Sequence, residues 1–570
     1  MEIDDTRQQI IDQKGHILVK GGPGSGKTTI ALEKVRRSFE TLKNNQKILF
    51  LSFSKAAIKQ IADRAAQVLE SENKSLLVMQ TYHSFCWEIL KSHFYLLSKS
   101  RNIQIVPPHS EAILKNTYKG NDWEQHLEDQ FIDNGQTTYN HFAPKTLELF
   151  TRSKSLLQIY SRTFPLIIVD EFQDSDQDQW GIVRLLSENS QILCLADPDQ
   201  RIFDWRPSVN LKRIEEVENL LKPASFNFEN QNFRSPNSGV LQFANSLLLN
   251  DTPIDYPNDG SLKKINYQFG QLPSYVKISL YKLIEKVSLE KEDWSIAILT
   301  KTNKMVRSVS NGLDEEQVFL RRKLPPFSHS VVIDEQAVVL AGRIIAYLLQ
   351  PRKTEEKEDL ASLILLLMDI SNAKKITNTS VAMAAKLDKA RKELLEGKAI
   401  KIKLVKELKR IRDIVLQSGY YSGEPFNDWL KVRAELENSE DIEISRLSKT
   451  ARQMRYLRRG TQITDTLTND WRQNKCYLNA LKDFDGAVFQ AQISESHIPF
   501  TGVVVMNMHK SKGKEFDGVI VIDGQYGDAL IAFDKPPYSK SKRLVRVALT
   551  RAKKAAYVLT SNNEPCPLFP

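Results

Sequence analysis

The run Gly21-Gly22-Pro23-Gly24-Ser25-Gly26-Lys27-Thr28 has the spacing G-x-x-x-x-G-K-[ST]. Its glycines let successive backbone N–H groups face one concavity, which suits phosphate oxygens. A helix opening at Lys27 adds its positive end. Gly22, Gly24, Ser25, Gly26, Lys27, Thr28 and Thr29 are therefore the expected nucleotide contacts. Lys27 would reach the β and γ phosphates, and the Thr28 hydroxyl would coordinate Mg2+. Further on, the apolar run Leu166-Ile167-Ile168-Val169 ends in Asp170-Glu171. A strand of this kind delivers its last side chains to the carboxyl edge of a sheet, beside a phosphate loop. Asp170 would hold the magnesium through water, and Glu171 would be the general base for the attacking water. An isolated Asp-Glu pair at a strand end usually just faces solvent. Behind a phosphate loop, and followed by Phe172-Gln173-Asp174, it reads as catalytic. The loop alone specifies only a P-loop nucleotide enzyme, a description that kinases, GTPases and transport ATPases share.

Groups like these need a sheet to position them. Short apolar strands are predicted at His16–Lys20, Lys47–Phe53, Phe164–Val169 and Gln191–Ala196, with helices from Lys27 and Lys55. Apolar runs that alternate with helices indicate a parallel sheet in an α/β domain. Ser84–Arg162 is aromatic, polar and helical in pattern, and reads as an insertion. A second α/β series follows Phe233, with strands predicted at Trp294–Leu299, Gly502–Met506, Gly518–Ile522 and Ala556–Thr560. Another helical stretch separates Leu299 from Gly502. Its part from Ser380 to Gly460 holds 19 Lys/Arg against 12 Asp/Glu, an excess of seven. Each helix taken singly reads as a solvated amphipathic helix. Taken together they could form a basic surface that tracks duplex backbone. The expected division is 1–85 with 161–230, an insertion over 86–160, then 231–330 with 495–570, and a basic helical insertion over 331–494.

A chain of 570 residues is too long for one hydrophobic core, so two to four domains are expected. Its 41% hydrophobic and 26% charged residues are ordinary for a soluble globular protein. The net charge of +10 fits a polyanionic partner. Cys86, Cys194, Cys476 and Cys566 form no C-x-x-C pair, which argues against zinc, iron–sulfur and thioredoxin-like sites and fits a reducing compartment. The polar start Met1–Ile10 is no signal peptide. Of the most apolar windows, Leu360–Ile370 is too short to span a bilayer and Val338–Leu349 contains Arg343. The expectation is a cytoplasmic protein without a membrane segment.

Asp170-Glu171-Phe172-Gln173-Asp174 resembles the D-E-x-Q-D motif of superfamily 1 helicases. The likeness continues in that family's order. Leu51-Ser52-Phe53-Ser54-Lys55-Ala56-Ala57 looks like T-F-T-N-x-A-A, and Thr81-Tyr82-His83-Ser84-Phe85 matches T-[FY]-H-S-F. The run from Ala196-Asp197-Pro198-Asp199-Gln200-Arg201 to Ile202-Phe203-Asp204-Trp205-Arg206 resembles G-D-x-x-Q-S-I-Y-x-[FW]-R. Gln231-Asn232-Phe233-Arg234-Ser235 looks like Q-N-Y-R-S. His509-Lys510-Ser511-Lys512-Gly513-Lys514-Glu515-Phe516 resembles H-x-x-K-G-x-E-F, and Val547-Ala548-Leu549-Thr550-Arg551-Ala552 matches V-A-L-T-R-A unchanged. The ordered set reaches to about Thr560 and resembles the UvrD/Rep/PcrA family; only the two insertions lack such motifs.

The resemblance implies an α/β fold of two RecA-like P-loop domains with parallel sheets, each interrupted by a mainly helical insertion. It places Arg234 and Arg551 at the γ phosphate, where developing negative charge needs fixed positive groups. Gln200 would sense that phosphate and couple it to DNA. Phe233 would stack on adenine, Glu515 would meet the ribose with Gly513 beside it, and a glutamine near the start would read adenine. Gln8 and Gln9 both qualify for that role, and Gln8 is preferred. Phe53, Tyr82, Phe203 and Trp205 would line a single-strand channel, since any base can stack on an aromatic face. For an aromatic residue, core packing is the commoner fate; Trp205, flanked by Asp204 and Arg206, is the best placed of the four. His83, Arg206 and His509 would contact phosphates or position neighbours. The implied activity is that of an ATP-dependent helicase or translocase moving 3′-to-5′ on single-stranded DNA, with ATP and Mg2+ as cofactors and single-stranded and tailed duplex DNA as partners.

Several positions depart from the family pattern. Ala196 replaces glycine, Arg201 replaces serine, Pro207-Ser208 follows Arg206, and Asn507 replaces threonine. Lys540-Ser541-Lys542-Arg543 lacks an acidic pair, and Arg546 replaces tyrosine. These changes spare the phosphate chemistry and bear on its coupling to DNA. No nuclease motif follows the last strand, so any cutting would fall to a partner. The second reading is accordingly a DNA-gated ATPase sensor subunit that regulates a partner nuclease. Compact members of the family occur in that setting, as in the helicase-like subunit of the Gabija anti-phage system.

Overall fold

A computed structural model of the chain describes residues 3–70, 72–202, 210, 212–228, 233, 239–248, 256–268, 270–289, 293–332, 335–373, 378–451, 462–493 and 501–569. The chain divides into two compact units. One comprises Met1–Leu97, Asn140–Val332 and His497–Pro570, and the other Ser98–Tyr139 and Ile333–Ser496.

The first unit holds two six-stranded sheets. One contains β1 (Ile17–Lys20), β2 (Ile48–Ser52), β3 (Leu77–Thr81), β4 (Leu166–Val169), β5 (Gln191–Ala196) and β6 (Ala224–Asn227), in the order β3-β2-β4-β5-β1-β6. All its neighbours pair in parallel. Parallel pairs need long crossovers, and the helices Lys27–Ser38 and Lys55–Val68 are two of them. The central strands β2 and β4 are buried along their whole length, which is why they read as unbroken apolar runs. Parallel pairing also brings all six carboxyl ends to one edge. The residues that follow them are Gly21, Phe53, Tyr82, Asp170, Asp197 and Phe228. Cross-strand bonds continue past the strand ends: Gly21 N–H donates to Ala196 O at 3.1 Å, and Asp170 N–H to Leu51 O at 2.9 Å.

The other sheet contains β7 (Leu262–Tyr267), β8 (Ser295–Thr300), β9 (His329–Val332), β10 (Gly502–Asn507), β11 (Phe516–Ile522) and β12 (Ala552–Ser561), in the order β9-β10-β8-β11-β12-β7, again all parallel. Glu515 and Arg551 lie at the amino ends of β11 and β12, while Lys301 and His509 follow the carboxyl ends of β8 and β10. Four of the twelve strands of these two sheets, β3, β6, β7 and β9, were not expected from the sequence, and all four are sheet edges; the two-stranded pairs Gln104–Ile105 with Gln136–Thr137 and Gln317–Phe319 with Arg322–Leu324 were not expected either.

The second unit is mainly helical. Leu363, Ile364, Leu408, Ile411, Trp429 and Phe484 are buried in its core. Of the two insertions expected at 86–160 and 331–494, 86–97 and 140–160 fall in the first unit, while this one unit contains 98–139 together with 333–496. Asn116 donates its amide to the Asn372 carbonyl across them. Within it, Arg412 meets Asp359 through two bonds of 2.8 and 2.9 Å, both side chains buried. Bidentate geometry makes such a pair strong. Four arginines of the basic stretch (Arg452, Arg455, Arg458 and Arg459) lie outside the described residues. No helix among the described residues is long and apolar enough to cross a membrane.

Candidate active site

The turn after β1 takes the form its glycines allow. Gly24 and Gly26 have φ of +77° and +89°, values that a Cβ disfavours. A Cβ on Gly21 would lie 2.7 Å from Ser25 Oγ, so the loop closes tightly there. The helix Lys27–Ser38 starts directly after Gly26. Lys27 Nζ donates to Gly21 O at 2.5 Å and Gly22 O at 3.0 Å, which folds its ammonium back over the loop's own carbonyls. Ser25 Oγ is buried without a hydrogen-bond partner among the described residues.

At the end of β4, Asp170 accepts from Ser52 Oγ at 3.3 Å. Burial, with the neighbouring Glu171 charge adding to it, pushes the Asp170 carboxyl up to about 7. Glu171 has a left-handed backbone, φ +54°. For a residue with a Cβ that conformation is costly and concentrates at functional sites. Burial alone would raise Glu171 too, but Lys512, Lys27 and Arg551 outweigh it and hold the carboxylate below its ordinary value. Gln173 Nε2 donates to Glu171 Oε2 at 2.6 Å, while its oxygen accepts from Asp197 N–H at 3.0 Å.

The second sheet reaches the same place. Lys512 Nζ contacts Asp174, lies 3.3 Å from Glu171 Oε2 and donates to Gln200 O at 2.8 Å. Burial works against that ammonium, but Asp174 and Glu171 outweigh it and raise its pKa. Arg551 is buried; its Nη2 donates to Gln200 Oε1 at 3.2 Å and its Nε to Val547 O at 3.0 Å. A cavity of about 300 Å³ gathers these groups. Its lining includes Gly24, Ser25, Gly26, Lys27, Thr28 and Thr29 from the loop, Asp170, Glu171 and Gln200 from other strand ends, and Phe233, Gly513, Glu515 and Arg551. Phe233 N–H donates to Gly24 O at 2.7 Å, its ring is half exposed, and the Arg7 guanidinium lies 5.3 Å from its centroid. Glu515 faces Arg64 at 3.4 Å and Lys553 at 3.5 Å.

Among the described residues no three His, Cys, Asp or Glu side chains form a metal cage. Mg2+ does not require one, because it takes most of its ligands from water and substrate phosphates and uses one or two carboxylates. Thr28 and Asp170, both on the cavity wall, suit that role.

Other expected residues lie elsewhere. Gln8 is exposed and donates to Asp12 Oδ2 at 2.8 Å, away from the cavity lining. Gln9 is likewise exposed. Tyr82 is 2% exposed and packs 5.4 Å from Phe53, so its ring is core and offers no face to a base. Phe53 is half-buried, His83 is exposed beside Phe142, and His509 lines a separate cavity. Phe203, Trp205, Arg206 and Arg234 lie outside the described residues. Arg7, Arg64, Lys512 and Lys553 gained no role from the sequence. Lys512 stood within a quoted motif and was open to notice, whereas the other three carry no local signal.

A phosphate cradle on one parallel sheet, faced by an arginine from a second, defines a P-loop nucleoside-triphosphate hydrolase. Family comparison narrows the class. The UvrD/REP helicase N-terminal domain matches residues 3–132 and 110–221, and the UvrD-like helicase C-terminal domain matches residues 339–563. The chain belongs to the UvrD/Rep/PcrA family of superfamily 1 helicases. The ATP-dependent DNA helicase PcrA of Staphylococcus aureus is 23% identical over an alignment covering 96% of this chain and 81% of that protein. PcrA of Staphylococcus epidermidis is 24% identical with the same coverage. The crystal structure of Pif1 helicase from Candida albicans aligns with a TM-score of 0.30 and 11% identity, over 55% of this chain and 54% of that one, too slight a likeness to bear on the fold.

Proposed function

We propose that this chain is an ATP-driven motor that moves 3′-to-5′ on single-stranded DNA and opens tailed duplexes. The observation that carries this reading is that the phosphate loop and carboxylates of one sheet share a cavity with Arg551 and Glu515 of the other. A site built from two sheets is complete only when both are in place, so opening and closing around ATP can drive movement. In this reading 1–85 with 161–230, and 231–330 with 495–570, are the two motor domains.

Lys27 would exchange its two loop carbonyls for β and γ phosphate oxygens, which are stronger, charge-assisted partners. Glu171, kept ionised by the surrounding cations, would accept the proton of the attacking water. Arg551, with Arg234 as its expected companion, would meet the charge that develops on the γ-phosphoryl oxygens. Mg2+ held by Thr28 and Asp170 would neutralise charge on the phosphates when bound. Phe233, braced by Arg7, would stack on the base. Gln200 would link hydrolysis to DNA, because it touches Arg551 and precedes the Phe203–Arg206 segment.

Duplexes with a 3′ or a 5′ single-stranded tail, incubated with ATP and Mg2+, test this directly. Unwinding of the 3′-tailed substrate alone is expected. Preference for the 5′ tail would overturn the polarity.

One observation favours the second reading, a DNA-gated ATPase sensor that regulates a partner nuclease. Arg546, where the family pattern has tyrosine, is buried and lies 3.6 Å from Asp197 and 3.9 Å from Asp199 in the loop that carries Gln200. In this second reading the ion pair would restrain the loop that carries Gln200. The sensor reading predicts DNA-stimulated hydrolysis without unwinding of either substrate.

A further inference from the structure

Phe233 lines the nucleotide cavity, and its N–H ties it to the phosphate loop at Gly24 O, 2.7 Å away. The amino-terminal helix Asp5–Asp12 sends one side chain to that ring. The Arg7 guanidinium lies 5.3 Å from the Phe233 centroid and 5.0 Å from that of Phe228. We infer that Arg7 reads the base edge in this cavity and that the site takes guanine at least as well as adenine, so that GTP is a substrate beside ATP. The inference rests on the reading of this cavity as a nucleoside-triphosphate site and adds a base specificity to it.

The fold holds Arg7 in place. Asp4 caps the helix: its Oδ1 accepts from the Arg7 N–H at 2.8 Å, and its Oδ2 pairs with Arg7 Nη1. Ile10 and Ile11, three and four residues on, are buried in the core with Ile17, Ile30 and Phe50. Arg7 therefore lies on the inner face of the helix, and it is 3% exposed. Lys34 Nζ donates to Ile11 O at 2.7 Å and to Gln13 O at 2.5 Å, which ties the end of this helix to the helix Lys27–Ser38 behind the phosphate loop. Phe228 is buried as well, and its N–H donates to Lys20 O at 2.7 Å. A guanidinium over aromatic faces keeps its N–H donors in its own plane, as a rigid fork. Those donors can meet the edge of a base that stacks on Phe233.

Donor chemistry then decides the base. A guanidinium has N–H donors and no acceptor. On the edge that carries N7, guanine offers two acceptors, O6 and N7, whereas adenine offers N7 and an amino donor. Arg7 can therefore donate twice to guanine but only once to adenine, and it faces the adenine amino group donor to donor. A glutamine, which the family pattern expects here, would accept from that amino group and donate to N7. Gln8 and Gln9, the expected candidates, are both exposed and do not line the cavity. The Asp4 carboxylate, an acceptor that would suit adenine, turns both oxygens to Arg7 itself.

The test is equilibrium displacement of mant-labelled ADP from the full chain by ADP, GDP and IDP, followed by steady-state hydrolysis of ATP, GTP and ITP. Inosine nucleotides keep O6 and N7 but lack the 2-amino group of guanine, so they report the Arg7 edge alone. Wild type is expected to bind GDP and IDP at least as tightly as ADP, and to hydrolyse GTP with a kcat/KM no lower than that for ATP. Arg7→Gln should move the GDP-to-ADP affinity ratio about tenfold toward ADP, the scale of one bidentate base contact, and the kcat/KM ratio should move with it. GDP binding to wild type more than about tenfold weaker than ADP, the loss of such a contact, would overturn the inference, and that comparison stands even where Arg7→Gln fails to fold. An unchanged ratio in a folded Arg7→Gln would overturn it too. So would a shift of the ratio in Gln8→Ala, or in Gln60→Ala on the cavity wall, that Arg7→Gln does not show. If wild type binds none of the diphosphates and hydrolyses none of the triphosphates, the nucleotide reading itself fails and takes this inference with it.

Discussion

Replacing Lys512 with methionine isolates one of the contacts that tie the two sheets together. The substitution keeps the aliphatic stem and removes the charge, so the cavity left behind is small. It strands Asp174 and Glu171, which the ammonium contacts directly and at 3.3 Å, and frees Gln200 O, which accepts from it at 2.8 Å. Breaking a buried ion pair from one side costs about 3–5 kcal/mol, because the remaining charge stays desolvated. The deficit depends on pH with a definite sign. Without Lys512, the largest of the charges that oppose burial at Glu171 is lost and its pKa rises relative to the wild-type chain, with Lys27 and Arg551 still opposing burial. A buried carboxylate with a raised pKa destabilises the fold above that pKa, so the deficit is full at pH 8 and shrinks as the pH falls. Removing one stranded charge as well, in Lys512→Met with Asp174→Asn, should recover about 1.5 kcal/mol, within the usual range for groups in contact. Urea denaturation at pH 8 and pH 5.5 reads both effects, and the acid limb of ATP hydrolysis should move to higher pH in the single variant. A single variant within about 0.5 kcal/mol of wild type at pH 8, or a strictly additive double variant, would refute the reasoning.

Lys27→Ala should abolish ATP hydrolysis and leave the fold intact, as judged by circular dichroism; wild-type turnover in that variant would sink the phosphate-loop assignment. Arg551→Ala should lower kcat by roughly a thousandfold or more, the scale of an arginine that meets the transferring phosphoryl group, while ATP affinity stays within a few-fold. In the second unit, burial, reinforced by the Arg343 charge, pushes His109 down to about 4 from an ordinary 6.5. The unfolded chain then takes up the proton first as pH falls, so this unit should lose stability between pH 6.5 and 4, by about 3 kcal/mol in all. His109→Gln should flatten that dependence in acid unfolding followed by fluorescence.

How much was legible in the sequence follows from burial. The eight strands predicted lie where strands are found, within a few residues at each end, and all are interior to a sheet. Strands covered on both faces read as unbroken apolar runs. In the two six-stranded sheets, the four strands not expected are edges with mixed burial: β6 alternates between partly buried and exposed, and β9 is nowhere fully buried. No apolar run marks such a segment. The same holds at the site. Gly21–Thr28 and Asp170-Glu171 sit directly after strands, so local spacing announces them. Arg7 over Phe233 and Lys512 on Asp174 are pairings across long stretches of chain, which no local pattern reports. Tyr82 fits a motif whose aromatics are expected at DNA, yet its ring is buried against Phe53. The joint packing of 98–139 with 333–496 is likewise a long-range fact.

ATP hydrolysis in this cavity is expected to be coupled to single-stranded DNA. Steady-state ATP turnover of the wild-type chain, with and without a single-stranded oligonucleotide and with Lys27→Ala as the control, tests it most directly. Strong stimulation by the oligonucleotide is expected, with no turnover in the variant. Sound wild-type turnover that is indifferent to DNA would contradict it.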